Sequence, residues 1–225
     1  MLSQRTQAIK DSLFAQPRQV TMERARLYME SYKETQGETS VTRRAKAFKH
    51  LLENHKIVLD NYDLLVGNRT DTPRAGVVSP EMSPYWILDE LDKFPTRRQD
   101  RFEISEEDKT YYKEVLYPFW TNKSLNDWYK AHLAENLAEA QKTRIFSVAQ
   151  TDKGQGHIIC DFPLVLQNGF GALLAEAEQK LAQDGESDFY AAAVIVLKAT
   201  IAYVQRYEAK VLQARESASS ETRAQ

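Results

Sequence analysis

Apolar residues recur at three- and four-residue intervals through most of this chain, and that period commits it to amphipathic helices rather than to sheet. From Val41, the positions Val41, Ala45, Phe48, Leu51 and Leu52 share one face, while Arg43, Arg44, Lys46 and Lys49 fill the other. An earlier helix is expected from Met22 to about Thr35, with Thr21 as its cap, Glu23 in its first turn and Gly37 as its stop. Ser105-Glu106-Glu107-Asp108 opens another, expected to run to Tyr117 and to end at Pro118. A helix is expected from Ser124 to about Gln141. A further one should enter on Pro163 and reach Gln183, weakened by Gly169 and Gly171. After the Asp184-Gly185-Glu186 turn, Ser187 caps a last long helix carrying Tyr190, Val194, Leu197, Ile201, Val204 and Val211 on a broad apolar face.

The stretch from Asp60 to Ser79 breaks this pattern. Leu64-Leu65-Val66 and Val77-Val78 are short apolar runs among Gly67, Pro73, Gly76 and Pro80, which predicts irregular chain with one or two short strands. Met82 to Phe94 reads as a short helix closing before Pro95. The fold class expected is therefore mainly α with a few short strands. The last helix has a strong apolar face and no following element to cover it, which points to a piece of something larger.

Charge excludes some functions. Thirty Lys and Arg against 32 Asp and Glu leave a net charge of −2, so no bulk positive field favours nucleic acid or an anionic membrane. The N-terminus lacks the apolar core of a secretory signal, and the longest apolar stretch, Tyr190 to Leu197, is short of a membrane span. With Cys160 alone, no internal disulfide forms, and a cytoplasmic soluble protein is the expectation.

Few residues suggest chemistry on their own. Cys160, in Ile158-Ile159-Cys160-Asp161-Phe162, reads as a small buried hydrophobe whose thiol is inert. His50 and His55 are five apart and share no helical face as metal ligands would; His132 stands alone. Lys93, Arg97, Arg98 and Arg101 sit among acidic residues, which suits a salt-bridged surface or a subunit contact. Trp86, Trp120 and Trp128 read as packing. Gly154-Gln155-Gly156-His157 lacks the spacing of a phosphate loop. Its glycines could still bring backbone close to a ligand, with His157 able to donate or accept a hydrogen bond.

An ordered series of short motifs adds a resemblance. It includes Glu30-Ser31-Tyr32-Lys33-Glu34-Thr35, Arg43-Arg44-Ala45-Lys46, Gly67-Asn68-Arg69-Thr70, Pro73-Arg74-Ala75-Gly76, Ser79-Pro80-Glu81-Met82, Phe94-Pro95-Thr96-Arg97 and Gln150-Thr151-Asp152-Lys153-Gly154-Gln155-Gly156-His157. Together they resemble the N-terminal region of the pyruvate formate-lyase-like glycyl radical enzymes, in the glycerol and diol dehydratase branch. The resemblance implies that residues 1–215 are the N-terminal, helical part of a ten-stranded α/β barrel, incomplete here, followed by a frayed polar tail over 216–225.

It also implies a radical lyase or dehydratase acting on a small hydroxylated substrate. The family's stored glycyl radical is installed by an activating enzyme that uses S-adenosylmethionine and an iron–sulfur cluster. A homodimer is implied as well, with no cofactor bound to this portion. Neither the catalytic cysteine loop nor the glycyl radical loop has a counterpart in these residues, and Cys160 does not lie where the family places its nucleophile. The chain alone is then expected to be an inactive fragment. His157, with Gly154 and Gly156 shaping its turn, is the implied substrate contact. Asn68, Arg69 and Arg74 are expected to pin irregular chain by hydrogen bonds. Two alternatives remain: a helical interaction module that binds a full-length relative, and an acyltransferase of the formate acetyltransferase type.

Overall fold

The computed structural model describes residues 2–60, 64–145, 159–185 and 187–217. In chain order the elements are α1 (Gln4–Ala15), β1 (Gln19–Thr21), α2 (Glu23–Glu34), α3 (Ser40–Asn54), β2 (Ala75–Val77), α4 (Tyr85–Glu90), α5 (Glu106–Tyr111), α6 (Tyr117–Trp120), α7 (Leu125–Ala131), α8 (Glu135–Gln141), α9 (Phe162–Gln183) and α10 (Asp188–Ser217). A 3₁₀ turn at Phe94–Thr96 and a π segment at Tyr112–Leu116 complete them. The architecture is mainly helical with short strands, as the apolar period requires.

Two compact units divide the chain. The first comprises Met1–Gln16, Glu30–Pro73 and Asp161–Gln225; the second comprises Pro17–Met29 and Arg74–Cys160.

In the first unit, α10 packs against both α3 and α9. Thr39 caps α3 by accepting the Thr42 N–H, and Ser187 caps α10 by accepting the Tyr190 N–H. Ala192, Val194, Ala199 and Tyr207 are the buried positions of α10. By length and composition α10 would also suit a bilayer; here it packs against α3 and α9, while Phe189, Val204, Val211 and Leu212 stay exposed. Gly169 sits inside α9 at φ +73°, a left-handed conformation open to glycine at little cost, and bends the helix there. Helix α1 has no buried residue.

In the second unit, β1 and β2 pair in parallel, Gln19 opposite Ala75 and Thr21 opposite Val77. Their core is Val20, Met22, Ala25, Met29, Val78, Ile87, Leu91, Phe94, Tyr112 and Leu116. Strand β1 was not expected, because three residues carry too little alternation to register as a strand. Of the two apolar runs near it, only the second contributes a strand residue. Leu64, Leu65 and Val66 belong to no strand and are exposed.

Two helix boundaries differ from expectation. Pro118 does not end the helix that begins at Ser105. The Tyr117 N–H bonds to the carbonyl of Tyr112, five residues back, so the ladder shifts by one residue just before the proline, which has no N–H to offer. The helical path then continues through Pro118 to Trp120. The stretch from Ser124 to Gln141 is two helices, not one. Ser124 and Asp127 form a reciprocal capping box at the start of α7. His132 ends it: its Nδ1–H donates to the Trp128 carbonyl at 2.7 Å and its ring stacks on Trp128. Ala134, extended at ψ 138°, then starts α8 afresh.

Candidate functional site

Gly154, Gly156 and His157 all lie outside the described residues. Their described flanks are Ile145 on one side and Ile159-Cys160 on the other. Cys160 is exposed, contrary to the expectation of a small buried hydrophobe. Its apolar neighbours Ile159 and Phe162 are exposed too, so a run of apolar letters here marks surface rather than core.

The most densely bonded polar site is built around Asn68, in the first unit. Its side-chain amide donates to the carbonyls of Thr70 at 2.8 Å and Lys56 at 3.0 Å. Its Oδ1 accepts the Val58 N–H at 3.1 Å and the hydroxyl of Tyr207. The Tyr207 hydroxyl in turn accepts the Asn68 N–H at 2.9 Å. Nε2 of buried His55 lies 3.1 Å from the Asn68 carbonyl, so the tautomer carrying hydrogen on Nε2 can donate there. One neutral amide therefore gathers the segments around 56–58, 68–70 and α10.

Arg206 extends this site. It donates to the carbonyls of Leu52 and of His55, the latter at 2.9 Å. These are the last carbonyls of α3 and its cap, which lack intrahelical partners and attract a cation. Arg69, beside Asn68 in sequence, is exposed. Arg74 belongs to the second unit and holds φ +60°, uncommon for a residue with a side chain. Sequence reasoning singled out Asn68 and set His55 aside as a metal ligand, but missed Arg206 and Tyr207. A polar residue inside an otherwise apolar helical face, as Arg206 and Tyr207 are, was the available signal.

The second unit has its own polar anchors. Arg24 donates to Glu81 at 2.6 Å with both side chains largely buried, and its guanidinium lies 4.0 Å from the centre of the Tyr28 ring. Tyr85 donates to Asp127 at 2.5 Å. Burial, and then the bond to Asp127, raise the Tyr85 phenol above its ordinary value. Tyr112 is fully buried and donates to the Pro84 carbonyl at 2.7 Å; burial pushes its phenol well up, with Tyr117 adding to the shift. In the basic cluster, Glu90 accepts from Lys93 and Arg97, and the Arg97 bond chiefly holds its carboxyl below the usual range.

A cleft of about 750 Å³ lies between the start of α2 and α5, lined among others by Glu23, Arg26, Glu106, Glu107 and Asp108. None of the sequence-predicted site residues lines it. Glu106, Glu107 and Asp108 are first-turn residues of α5, where negative charge suits the helix dipole, so their position has a structural reason. Among the described residues, no group of three His, Cys, Asp or Glu side chains could hold a metal ion.

The comparisons with known proteins bear on the whole chain. The family described as "Pyruvate formate lyase-like" matches residues 2–225. The Escherichia coli (strain K12) protein named "Probable dehydratase YbiW" is 31% identical over 234 residues, covering 99% of this chain and 28% of that protein. The glycerol-bound B12-independent glycerol dehydratase from Clostridium butyricum superposes with a TM-score of 0.91 at 33% identity, over 99% of this chain and 29% of its own. A glycyl radical enzyme from Archaeoglobus fulgidus superposes with a TM-score of 0.87 at 31% identity, again over 99% of this chain and 29% of its own. The chain thus spans less than a third of each of these relatives. The matches in sequence and in backbone extend over nearly the whole chain, and the chain belongs to the pyruvate formate lyase-like family of glycyl radical enzymes.

Proposed function

We propose that these residues form the N-terminal helical part of a glycyl radical dehydratase, a cytoplasmic enzyme that removes water from a small hydroxylated substrate. The observation that carries this reading is the superposition of 99% of the chain on a glycerol-bound glycerol dehydratase. The barrel and both catalytic loops would be supplied by the portion of such an enzyme that this chain does not match, so the chain alone would not turn over substrate. The radical, installed by an activating enzyme with S-adenosylmethionine and an iron–sulfur cluster, supplies hydrogen-atom abstraction.

His157 is the residue of this chain proposed to meet the substrate. Loss of hydroxyl as water needs a proton donor near the departing oxygen, and an imidazole can carry that proton near neutral pH. Gly154 and Gly156 would let the backbone approach the substrate without a side chain in the way. Asn68, Arg69 and Arg74 are assigned a structural role. For Asn68 the support is its set of bonds to Thr70, Lys56, Val58 and Tyr207.

The test is His157→Ala in the complete enzyme. A lost general acid or hydrogen-bond partner lowers turnover by about 100-fold or more, while the glycyl radical signal in electron paramagnetic resonance stays at its wild-type level. Unchanged steady-state kinetics would remove His157 from the site. Reading the coding sequence beyond codon 225 checks the other half of the proposal. An in-frame continuation with cysteine and glycine loops is expected, and a stop followed by a soluble, stable product would overturn it.

A further inference from the structure

The cleft between the start of α2 and α5 is a feature that the proposed chemistry does not use. Its floor is apolar: Met22 is buried, and half-buried Tyr111 and Val115 pack against the core of the second unit. Its rims are acidic. Five carboxylates, those of Glu23, Glu106, Glu107, Asp108 and Glu114, stand against one guanidinium, that of Arg26. They leave four net negative charges in one groove of a chain whose net charge is −2. A cleft lined by one sign of charge concentrates the field on whatever enters it.

Internal contacts account for only part of this charge. Glu106 pairs with Lys109 at 2.6 Å, and Asp108 accepts the Ser105 hydroxyl at 2.8 Å. The helix dipole favours acidic residues in a first turn, but its effect falls off within that turn. Glu114 lies farther along, on the π segment. Glu107 and Glu114 are both exposed, and neither makes an ion pair among the described residues. Thr110 and Tyr111 lie between them on the same wall, as three-, four- and seven-residue spacing places side chains on one helical face.

We propose that this groove docks a basic, extended segment of a partner polypeptide. Charge complementarity sets the sign of the occupant: two arginine or lysine side chains meet Glu107 and Glu114, and an apolar residue between them covers the floor of Met22 and Val115. Spacing sets its form. Glu107 and Glu114 are separated by about 10 Å along the helix axis at 1.5 Å per residue. A polyproline-II segment returns to the same side every three residues and advances about 9 Å in doing so, so basic residues three positions apart match the two carboxylates. Every residue of the groove belongs to the second unit, and the inference is independent of the dehydratase reading.

The test follows fluorescence anisotropy of a fluorescein-labelled peptide, with two arginines three positions apart and leucine between them, on addition of the full 225-residue chain. Saturable binding is expected, weakening several-fold as ionic strength rises from about 0.05 to 0.3 M. The double variant Glu107→Gln with Glu114→Gln should weaken it at least tenfold. Both positions are exposed, so circular dichroism should not change. Glu135→Gln with Glu139→Gln removes the same charge from residues that do not line the groove, and should leave binding within twofold. Glu107→Lys with Glu114→Lys should lose the arginine peptide and gain the counterpart carrying glutamates in its place.

Absence of saturable binding to the wild-type chain would overturn the proposal. So would binding that survives the groove variants, or an equal loss in the Glu135 and Glu139 variant, which would reduce the effect to the general charge of the chain.

Discussion

Replacing Asn68 with Ala removes the most connected side chain of the first unit. The truncation removes the side-chain partner of the Thr70 and Lys56 carbonyls and of the Val58 N–H, and takes away the acceptor of the Tyr207 hydroxyl proton, while the Asn68 N–H still bonds to that hydroxyl. A net hydrogen bond contributes about 0.5–1.5 kcal/mol, and a buried group left unsatisfied costs more. Thr70, His55 and Tyr207 are buried, whereas Asn68 itself is half-exposed and the Lys56 carbonyl can turn to water. Counting two to three bonds fully gives a loss of about 2–3 kcal/mol. For a chain of this size each kcal/mol moves the midpoint by about 2–4 °C, so a fall of roughly 4–12 °C is expected. Thermal and urea unfolding followed by circular dichroism would measure it. Asn68→Asp should be no milder, because it keeps the acceptor but turns a carboxylate oxygen toward two carbonyls. A loss below about 0.5 kcal/mol for Asn68→Ala would refute the claim that this amide holds the segment to α10.

Three other expectations concern the second unit. Tyr112, buried among apolar neighbours, has its phenol pKa raised above the ordinary value of 10.0. Its neutral form is therefore favoured in the folded state, so its contribution is fully present below pH 10 and is lost as pH rises through the folded value. Alkaline titration of stability should show a decline above pH 10 that Tyr112→Phe diminishes, at a cost of about 1 kcal/mol near neutrality. Arg24→Met leaves the Glu81 carboxylate buried beside apolar residues and should cost about 3–5 kcal/mol. The double variant with Glu81→Leu should recover much of that loss in urea melts, and additive losses would argue against a coupled pair. Ser124→Ala removes the capping box of α7 and should cost about 1 kcal/mol, measured by the same melts; Ser124→Asn should retain most of the stability.

The helices were legible because their cause is local. Ser105 and Ser187 cap helices where their position ahead of an apolar period implies it, and Gly37 follows the end of α2 at φ +92°. Each needs only residues three or four apart, and so does the family resemblance, which rests on short ordered motifs.

What the sequence could not specify depends on residues far apart. Strand β1 exists because residues near position 20 meet residues near position 76, and three residues hold no period of their own. The π segment before Pro118 and the break at His132 depend on hydrogen bonds that neither residue, read alone, announces. Asn68 was recognisable as a polar residue in irregular chain, but its partner Tyr207 lies 139 residues away. Apolar letters do not report coverage: Ile87 and Leu91 are buried in the second unit, while Phe162 and Leu166 stand in solvent. The sequence by itself therefore determined the helical class and the family. Tertiary structure decided which polar groups meet and which apolar surface is left uncovered, because both depend on contacts that no local spacing encodes.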